Sequence, residues 1–305
     1  MLDIPDSRRT LDRAVSQMQR FISTQLQGMA QLVRDQGRMA SLHSIASCAA
    51  DRMVELAAMV GTGLTNPLRA LRLSPSSPPP APDRSTMRIG VYALAANPLH
   101  WGHVLVGLSA LVLMKLDRVV FVIAGEDPRK PFLLPAEIRH RMARSIIDIF
   151  EPFFAYSPIA LGTGLDGETN MARIFELNPQ LSIHAYYIAG SDHCRRTSER
   201  GEPDTLEKLE RVERKLRRNA GGRHSVSAVF IDRPGHDATA GMADSSLEVH
   251  VLPAVPLICS STAARRALCD GESLDALAFV PYATFATIQS LRLFDGGREC
   301  RERSA

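Results

Sequence analysis

Apolar segments with strand character alternate with segments of helical character along residues 87–294, and this alternation constrains the fold more than any other feature. Residues 87–94 (MRIGVYAL) are apolar and β-branched, which is typical of a buried strand. A helical segment over 102–116 and a second strand over 117–125 follow. Because strands that alternate with helices form parallel sheets covered on both faces, we predict an α/β fold with a doubly wound parallel sheet.

The same alternation continues toward the C-terminus. Further strands are predicted over 182–192, 227–232 and 247–253. Further helices are predicted over 135–150, 204–219, 261–271 and 282–294. The charged segment 204–219 is interpreted as an amphipathic helix covering the sheet, or as a basic lid in which Arg195 and Arg196 attract a phosphate.

The first part of the chain differs from this pattern. Residues 1–73 place apolar side chains at helical spacing and contain no catalytic constellation. Residues 74–86 (SPSSPPPAPDRST) are rich in proline and serine, which disfavour regular structure. We therefore predict an N-terminal α-helical extension over 1–73, a linker over 74–86 and one domain over 87–305. The extension would pack on the domain, form a homo-oligomer, or present a surface to a partner or a membrane interface.

Composition and charge argue against several classes of protein. The net charge is only +3 and 23% of residues are charged, so we expect no nucleic-acid partner. The sequence contains neither an apolar run of about 20 residues nor the apolar core of a signal peptide, so we expect no membrane span and a cytoplasmic location. The five cysteines are scattered without C-x-x-C spacing, which predicts neither a disulfide framework nor a zinc site.

Two histidines occur where the first predicted strand meets the first predicted helix, within residues 95–103 (AANPLHWGH). If the helix begins near His100, the imidazoles of His100 and His103 share its first turn. Pro98 restricts the chain entering that turn, and Gly102 permits close approach of a ligand to the backbone. Unpaired N–H groups and the helix dipole make the turn a phosphate site. The pair also fits ordinary surface histidines, or half of a metal site that lacks its other ligands.

A second polar helix start lies within residues 258–268 (ICSSTAARRAL). Ser260, Ser261 and Thr262 are good N-cap residues, and strong helix formers follow them. With Arg265 one turn further on, this helix end also favours anions. Taken singly, the segment equally fits an ordinary capped helix.

Together, NPLHWGH and CSSTAAR resemble the H-x-G-H and I-S-S-T-x-x-R motifs of the nucleotidyltransferase superfamily. Within it the chain is most similar to the nicotinamide/nicotinate mononucleotide adenylyltransferase family. The segments RKPFLLPAEIRHRMA, YIAGSD and FIDRPG resemble further family segments in the same order. The resemblance implies a Rossmann-like fold and adenylyl transfer from ATP to a pyridine mononucleotide. It also implies direct in-line attack on the α-phosphate, giving NAD or deamido-NAD plus pyrophosphate.

The resemblance also implies roles for individual residues. The implied catalytic residues are His100, His103, Lys130 and Arg265. The implied ATP-binding residues are Asn97, Gly102, Gly190, Asp192, Ser260, Ser261 and Thr262. The implied substrate-binding residues are Arg139, Arg233 and Trp101. Mg²⁺ would be carried with ATP, bridging phosphates, without a dedicated set of protein ligands.

One departure from the family affects the first motif. Members usually have glycine and then an aromatic residue before the Asn-Pro pair, as in G-S-F-N-P, whereas this chain has Leu94, Ala95 and Ala96 there. Two alternatives therefore stay open: a nucleotidyltransferase with a different acceptor, and a catalytically weak regulatory protein that binds nucleotides. The sequence does not distinguish a nicotinamide from a nicotinate substrate.

Overall fold

The computed structural model describes residues 4–33, 36–127, 130, 132–194, 204–219, 223–233, 242, 245–255, 260–270, 279–295 and 300. The helices are α1 (Ile4–Leu32), α2 (Gln36–Thr62), α3 (Trp101–Leu113), α4 (Ala136–Ile147), α5 (Gly167–Leu177), α6 (Thr205–Asn219), α7 (Ser261–Cys269) and α8 (Tyr282–Ser290). The strands are β1 (Asp83–Leu94), β2 (Arg118–Ile123), β3 (Phe154–Ser157), β4 (Leu181–Gly190), β5 (His224–Ile231) and β6 (Val249–Leu252).

The six strands form one parallel sheet in the order β3-β2-β1-β4-β5-β6. The predicted doubly wound α/β fold is confirmed. The strand order reverses between β1 and β4, and ligands of such sheets bind in the crevice beyond the carboxyl ends of the strands at that point. β3 and α5 were not predicted from the sequence. β3 is only four residues long, which is too short a pattern to recognise.

Two apolar cores lie on the two faces of the sheet. One contains side chains of α1, α2, α3, α4, α7 and α8, and the other contains side chains of α5 and α6. Leu206 and Leu209 of α6 are fully buried in the second core. The interpretation of residues 204–219 as an amphipathic helix covering the sheet is therefore confirmed, whereas Arg195 and Arg196 lie outside the described residues.

The N-terminal helices share the core of the rest of the chain. α1 packs against α2, and α2 packs against α3. Met18 and Leu26 of α1 belong to the same apolar cluster as Leu105 and Leu108 of α3. β1 begins at Asp83, three residues before the predicted end of the linker, so its first residues extend the sheet beyond the predicted domain boundary.

Two buried polar side chains hold the segment that follows α2. The carboxylate of Asp117 accepts hydrogen bonds from the backbone N–H groups of Asn66 (2.7 Å) and Arg88 (2.9 Å). The amide of Asn178 accepts from the N–H of Arg72 (2.9 Å) and donates to the carbonyl of Arg72 (2.8 Å). These bonds satisfy backbone groups that would otherwise be buried without partners.

Cys269 and Cys300 form a disulfide, which joins the end of α7 to a residue near the C-terminus. The expectation that the chain contains no disulfide is therefore wrong. The two cysteines are 31 residues apart, and only the tertiary fold brings them together. Cys48 is a free cysteine, and Cys259 lies outside the described residues. Among the helices that the structure describes, none is long and apolar enough to cross a membrane.

Candidate active site

His100 and His103 stack on each other at the start of α3. His100 is the N-cap residue, with extended backbone angles, and α3 begins at Trp101. The two imidazole centroids are 3.7 Å apart with 28° between the ring planes. The backbone N–H of His100 donates to Nδ1 of His103 at 3.2 Å. As the spacing predicts, both rings share the first turn of the helix.

Both histidines are neutral at physiological pH. Burial lowers the pKa of His103 to about 3, and the nearby Arg233 guanidinium acts in the same direction. Burial also lowers the pKa of His100 well below its ordinary value, with further contributions from His103 and Arg233. Because Nδ1 of His103 accepts a hydrogen bond, its ring proton is assigned to Nε2, which can donate to a ligand.

The loop before α3 is tied to α7. The hydroxyl of Ser261 donates to the carbonyl of Pro98 at 3.1 Å. The guanidinium of Arg265 donates to the carbonyl of Asn97 at 3.0 Å. The side-chain oxygen of Asn97 accepts from the N–H of Leu134 at 3.2 Å, at the entry to α4. These long-range bonds hold the first turns of α3 and α7 side by side.

Ser260 caps α7 as predicted. Its hydroxyl accepts a hydrogen bond from the backbone N–H of Ala263 at 3.0 Å, and its backbone is extended. Capping by Ser260 satisfies one of the unpaired N–H groups of the first turn. The remaining N–H groups of that turn and the positive end of the helix dipole still favour an anion.

The ends of β4 and β5 contribute an ion pair. The guanidinium of Arg233 lies 3.0 Å from the carboxylate of Asp192, and the Arg233 N–H donates to the hydroxyl of Ser191 at 2.9 Å. A Cβ atom at position 190 would collide with the side chains of Asp192 and Arg233. Glycine at position 190 therefore leaves room for the Arg233–Asp192 ion pair to lie close to the backbone.

A cavity of about 440 Å³ lies between these elements, at the carboxyl ends of β1, β4 and β5. Its lining residues are Tyr92, His100, Gly102, His103, Val106, Ala189, Gly190, Ile231, Arg233, Val255, Ser260, Ser261 and Thr262. The volume is typical of a site for a small molecule or cofactor. The structure thus gathers eight of the predicted site residues around one cavity.

Tyr92 is the most notable lining residue that the sequence analysis missed. It lies two residues before the end of β1, and its ring centroid is 6.1 Å from that of His103. Burial raises its pKa, so the phenol is neutral and can donate a hydrogen bond. A polar aromatic residue near the end of a predicted central strand was the available signal. Val106, Ala189, Ile231 and Val255 carried no such signal, because they are ordinary apolar residues.

Six predicted site residues do not belong to the described lining of the cavity. Three of them, Asn97, Asp192 and Arg265, make the contacts described above, and the other three are Trp101, Arg139 and Lys130. The Trp101 side chain is only 1% exposed and packs in the core against Phe21, and its assignment to substrate binding stays a prediction. The Arg139 side chain is fully buried, and its guanidinium donates to backbone carbonyls. These contacts give the side chain a structural role, and its assignment to substrate binding likewise stays a prediction. Lys130 is exposed on the segment between β2 and α4.

Leu94 occupies the position where the resembling family has glycine. It is the last residue of β1, and its partly buried side chain packs against the larger core. It does not belong to the described lining of the cavity. Leu94, which replaces the glycine, therefore does not fill the space in front of the histidines.

Comparison with known proteins shows which proteins the chain is similar to. No family model matches the chain. The chain is 30% identical over 197 residues to a Thermus thermophilus protein named "Probable nicotinate-nucleotide adenylyltransferase", with 62% of this chain and 90% of that protein aligned. An Opitutus terrae protein of the same name is 26% identical over 212 residues, with 68% and 98% aligned. The solved Plasmodium falciparum nicotinic acid mononucleotide adenylyltransferase complexed with NaAD shares the fold, with a TM-score of 0.55 at 16% identity, and 69% and 98% of the two chains aligned.

Proposed function

Because this chain belongs to the nicotinate-nucleotide adenylyltransferase family, and is therefore a nucleotidyltransferase, we propose that it transfers the adenylyl group of ATP to nicotinate mononucleotide. The products would be deamido-NAD and pyrophosphate. The observation that carries this proposal is the cavity onto which the first turns of α3 and α7 both open, with the paired histidines on one side and three hydroxyls on the other. Preference for the nicotinate substrate is supported by the names of the relatives.

The two helix ends suit a polyphosphate. Each presents the positive end of a helix dipole, and such ends attract phosphate groups. We assign the β- and γ-phosphates of ATP to the α7 side, where Ser260, Ser261 and Thr262 line the cavity. The α-phosphate is assigned to the α3 side, next to His103 Nε2.

In the proposed reaction, a phosphate oxygen of the mononucleotide attacks the α-phosphorus of ATP. A new P–O bond forms as the bond between the α-phosphorus and its bridging oxygen to the β-phosphate breaks, and pyrophosphate leaves with that electron pair. No side chain needs to act as a nucleophile, since the attacking phosphate is already anionic. Alignment in the cavity can supply about 7–11 kcal/mol of the barrier.

The histidines would act as neutral donors rather than as cations. His103 Nε2–H can stabilise charge that develops on the oxygens of the α-phosphate, because a preorganised donor in a dry site is effective at the transition state. Arg265, bonded to the Asn97 carbonyl, would bring positive charge to the departing pyrophosphate while holding α7 in place. We keep Lys130, on the exposed segment before α4, as a further cation for the phosphates.

The side chains around the cavity fit a Mg²⁺ ion that arrives bound to ATP. No carboxylate belongs to the described lining of the cavity, and the described residues contain no group of three metal-ligating side chains. Phosphate oxygens and water would therefore hold the ion, as Mg²⁺ prefers. Its chemical contribution would be to neutralise phosphate charge.

The test is pyrophosphate release from ATP and Mg²⁺, with nicotinate mononucleotide and nicotinamide mononucleotide offered separately and the dinucleotide product identified by mass. We expect turnover with the nicotinate substrate, and a loss of about 100-fold or more in His103→Ala. His43→Ala, which changes an exposed histidine of α2, is the matched control and should keep full activity. Turnover with only the nicotinamide substrate would correct the acceptor. Release with neither, despite ATP binding, would refute the proposal in favour of another acceptor or a regulatory role.

A further inference from the structure

The residue between the two cavity histidines faces the N-terminal extension. Trp101 is buried, and its ring centroid lies 6.2 Å from that of Phe21 of α1, with the planes tilted by 39°. Phe21 in turn meets Phe150 edge-on, at 5.8 Å between centroids. The Phe21 ring is therefore held between the start of α3 and the turn that follows α4.

A second contact of α1 holds the segment to which the Trp101 backbone is bonded. The backbone N–H of Trp101 donates to the carbonyl of Phe279 at 3.0 Å. Three residues after Phe279, the N–H of Tyr282 donates to the side-chain oxygen of Gln25 at 2.8 Å. Gln25 lies one helical turn after Phe21, on the same face of α1. α1 thus contacts both the Trp101 side chain and the segment that binds the Trp101 backbone.

The geometry of the histidines depends on the orientation of this first turn. Trp101 is the first helical residue, directly after His100 and two residues before His103. A rotation or shift of the turn would change the 3.7 Å stacking of the imidazoles and the bond from the His100 N–H to His103. Misplacement of catalytic groups by about 1 Å can cost 100-fold in rate.

The fold itself does not require a segment of this size. The Plasmodium falciparum structure is covered over 98% of its length by only 69% of this chain. A sheet and helices of this topology are therefore complete without almost a third of the chain.

We propose that Phe21 is a positioning residue for His100 and His103, which acts through Trp101. The N-terminal helical extension is then part of the support of the active site. The reaction whose rate Phe21 would affect is the one proposed above, so the kinetic consequence rests on that function. The positions of the histidines do not depend on it and can be measured separately.

The test compares Phe21→Ala with Leu11→Ala. Leu11 is a buried residue of the same helix, ten residues or about 15 Å away along its axis, and its truncation also removes packing of α1. Two quantities are measured in each variant: kcat and KM for both substrates, and the imidazole NMR signals of His100 and His103 as a function of pH.

For Phe21→Ala we expect kcat to fall about tenfold or more, with KM for ATP changed by less than about threefold. We also expect the signals of both histidines to move and the pKa of His103 to rise from about 3, as water reaches the ring. Leu11→Ala should lose stability but keep both kcat and the histidine signals. Phe21→Tyr, which keeps the ring, should restore the wild-type values.

Equal kcat and unchanged histidine signals in Phe21→Ala and Leu11→Ala would overturn the proposal. If the wild-type chain shows no turnover with any mononucleotide, the proposed function fails, and the NMR comparison alone decides on the role of Phe21. If Phe21→Ala does not fold, Phe21→Leu serves the same comparison, because it keeps apolar volume and removes the ring.

Discussion

Replacing Arg139 by methionine tests whether this residue supports the site or binds substrate. Its side chain is fully buried, and Nε donates to the carbonyl of Leu134 at 2.8 Å. The two terminal nitrogens donate to the carbonyls of Ala95, Ala124 and Gly125 at 2.6–2.8 Å. These carbonyls lie just beyond β1 and β2 and just before α4. One guanidinium thus joins three segments below the cavity.

The expected cost follows from these four bonds. A hydrogen bond to a charged group contributes about 1.5–3 kcal/mol, so four independent bonds would give about 6–12 kcal/mol. Bonds to one group are not additive, and water can reach some of the freed carbonyls. We therefore expect the free energy of unfolding to fall by about 4 kcal/mol, within the range for breaking a buried charged network. Methionine keeps an unbranched chain of apolar character, which limits the additional loss of packing.

The assay is urea unfolding followed by circular dichroism, with the m-value as a check that the same surface unfolds. Arg144→Met is the matched control on the same helix. Its side chain is 64% exposed, pairs with Asp148 at 3.2 Å and lies over the Tyr156 ring at 5.7 Å from the centroid. Because both contacts are exposed to solvent, the cost should be about 1 kcal/mol at most. A loss of less than about 1 kcal/mol in Arg139→Met, together with weaker mononucleotide binding, would refute the structural role and restore the assignment to substrate binding.

Three further predictions concern the cavity and its surroundings. Gly190→Ala should lower kcat/KM by about tenfold or more, because the added methyl group displaces the Arg233–Asp192 ion pair. The control is Gly28→Ala, whose methyl group meets no neighbouring atom and should stabilise α1. The pKa of His103 is lower in the folded state than its ordinary 6.5, so its contribution to stability is present above pH 6.5 and is lost as the pH falls toward 3. Between pH 7 and pH 5 we expect the loss of stability in urea unfolding to be smaller in His103→Gln than in the wild type by about 2 kcal/mol, since His100 keeps its own contribution in both. Reduction of the Cys269–Cys300 disulfide opens a loop of 31 residues and should lower the free energy of unfolding by about 3–4 kcal/mol. The measurement is urea unfolding with and without reductant, and in Cys269→Ala the reductant should make no difference.

The elements that the sequence predicted well are those with strong local patterns. β1 and β2 are short apolar runs, α3 is an apolar run of 13 residues, which is too long for a typical strand, and α4 has helical periodicity over 12 residues. The shared turn of His100 and His103 follows from their spacing of three and a helix start between them. Likewise, Ser260 as the cap of α7 follows from residue type at a helix start. All these features depend on interactions between residues close in sequence.

The orientation of side chains between elements was decided by the tertiary structure alone. Trp101 lies inside the histidine motif, yet its ring points into the core because α1 places Phe21 there. Arg139 has the charge expected of a phosphate ligand, but its donors meet carbonyls from three segments that are distant in sequence. The disulfide between Cys269 and Cys300 depends in the same way on where the C-terminal segment lies.

The cavity shows most clearly the difference between what local sequence predicts and what the tertiary structure decides. The two helix ends that we propose as phosphate sites could be recognised from local sequence, because capping, spacing and the helix dipole are properties of a single turn. Their position side by side, with Tyr92 and the Arg233–Asp192 ion pair between them, depends on the strand order at the switch between β1 and β4. The sequence by itself therefore determined which segments can bind phosphates, and the tertiary structure decided what they face, since contacts between distant segments form only when the sheet assembles.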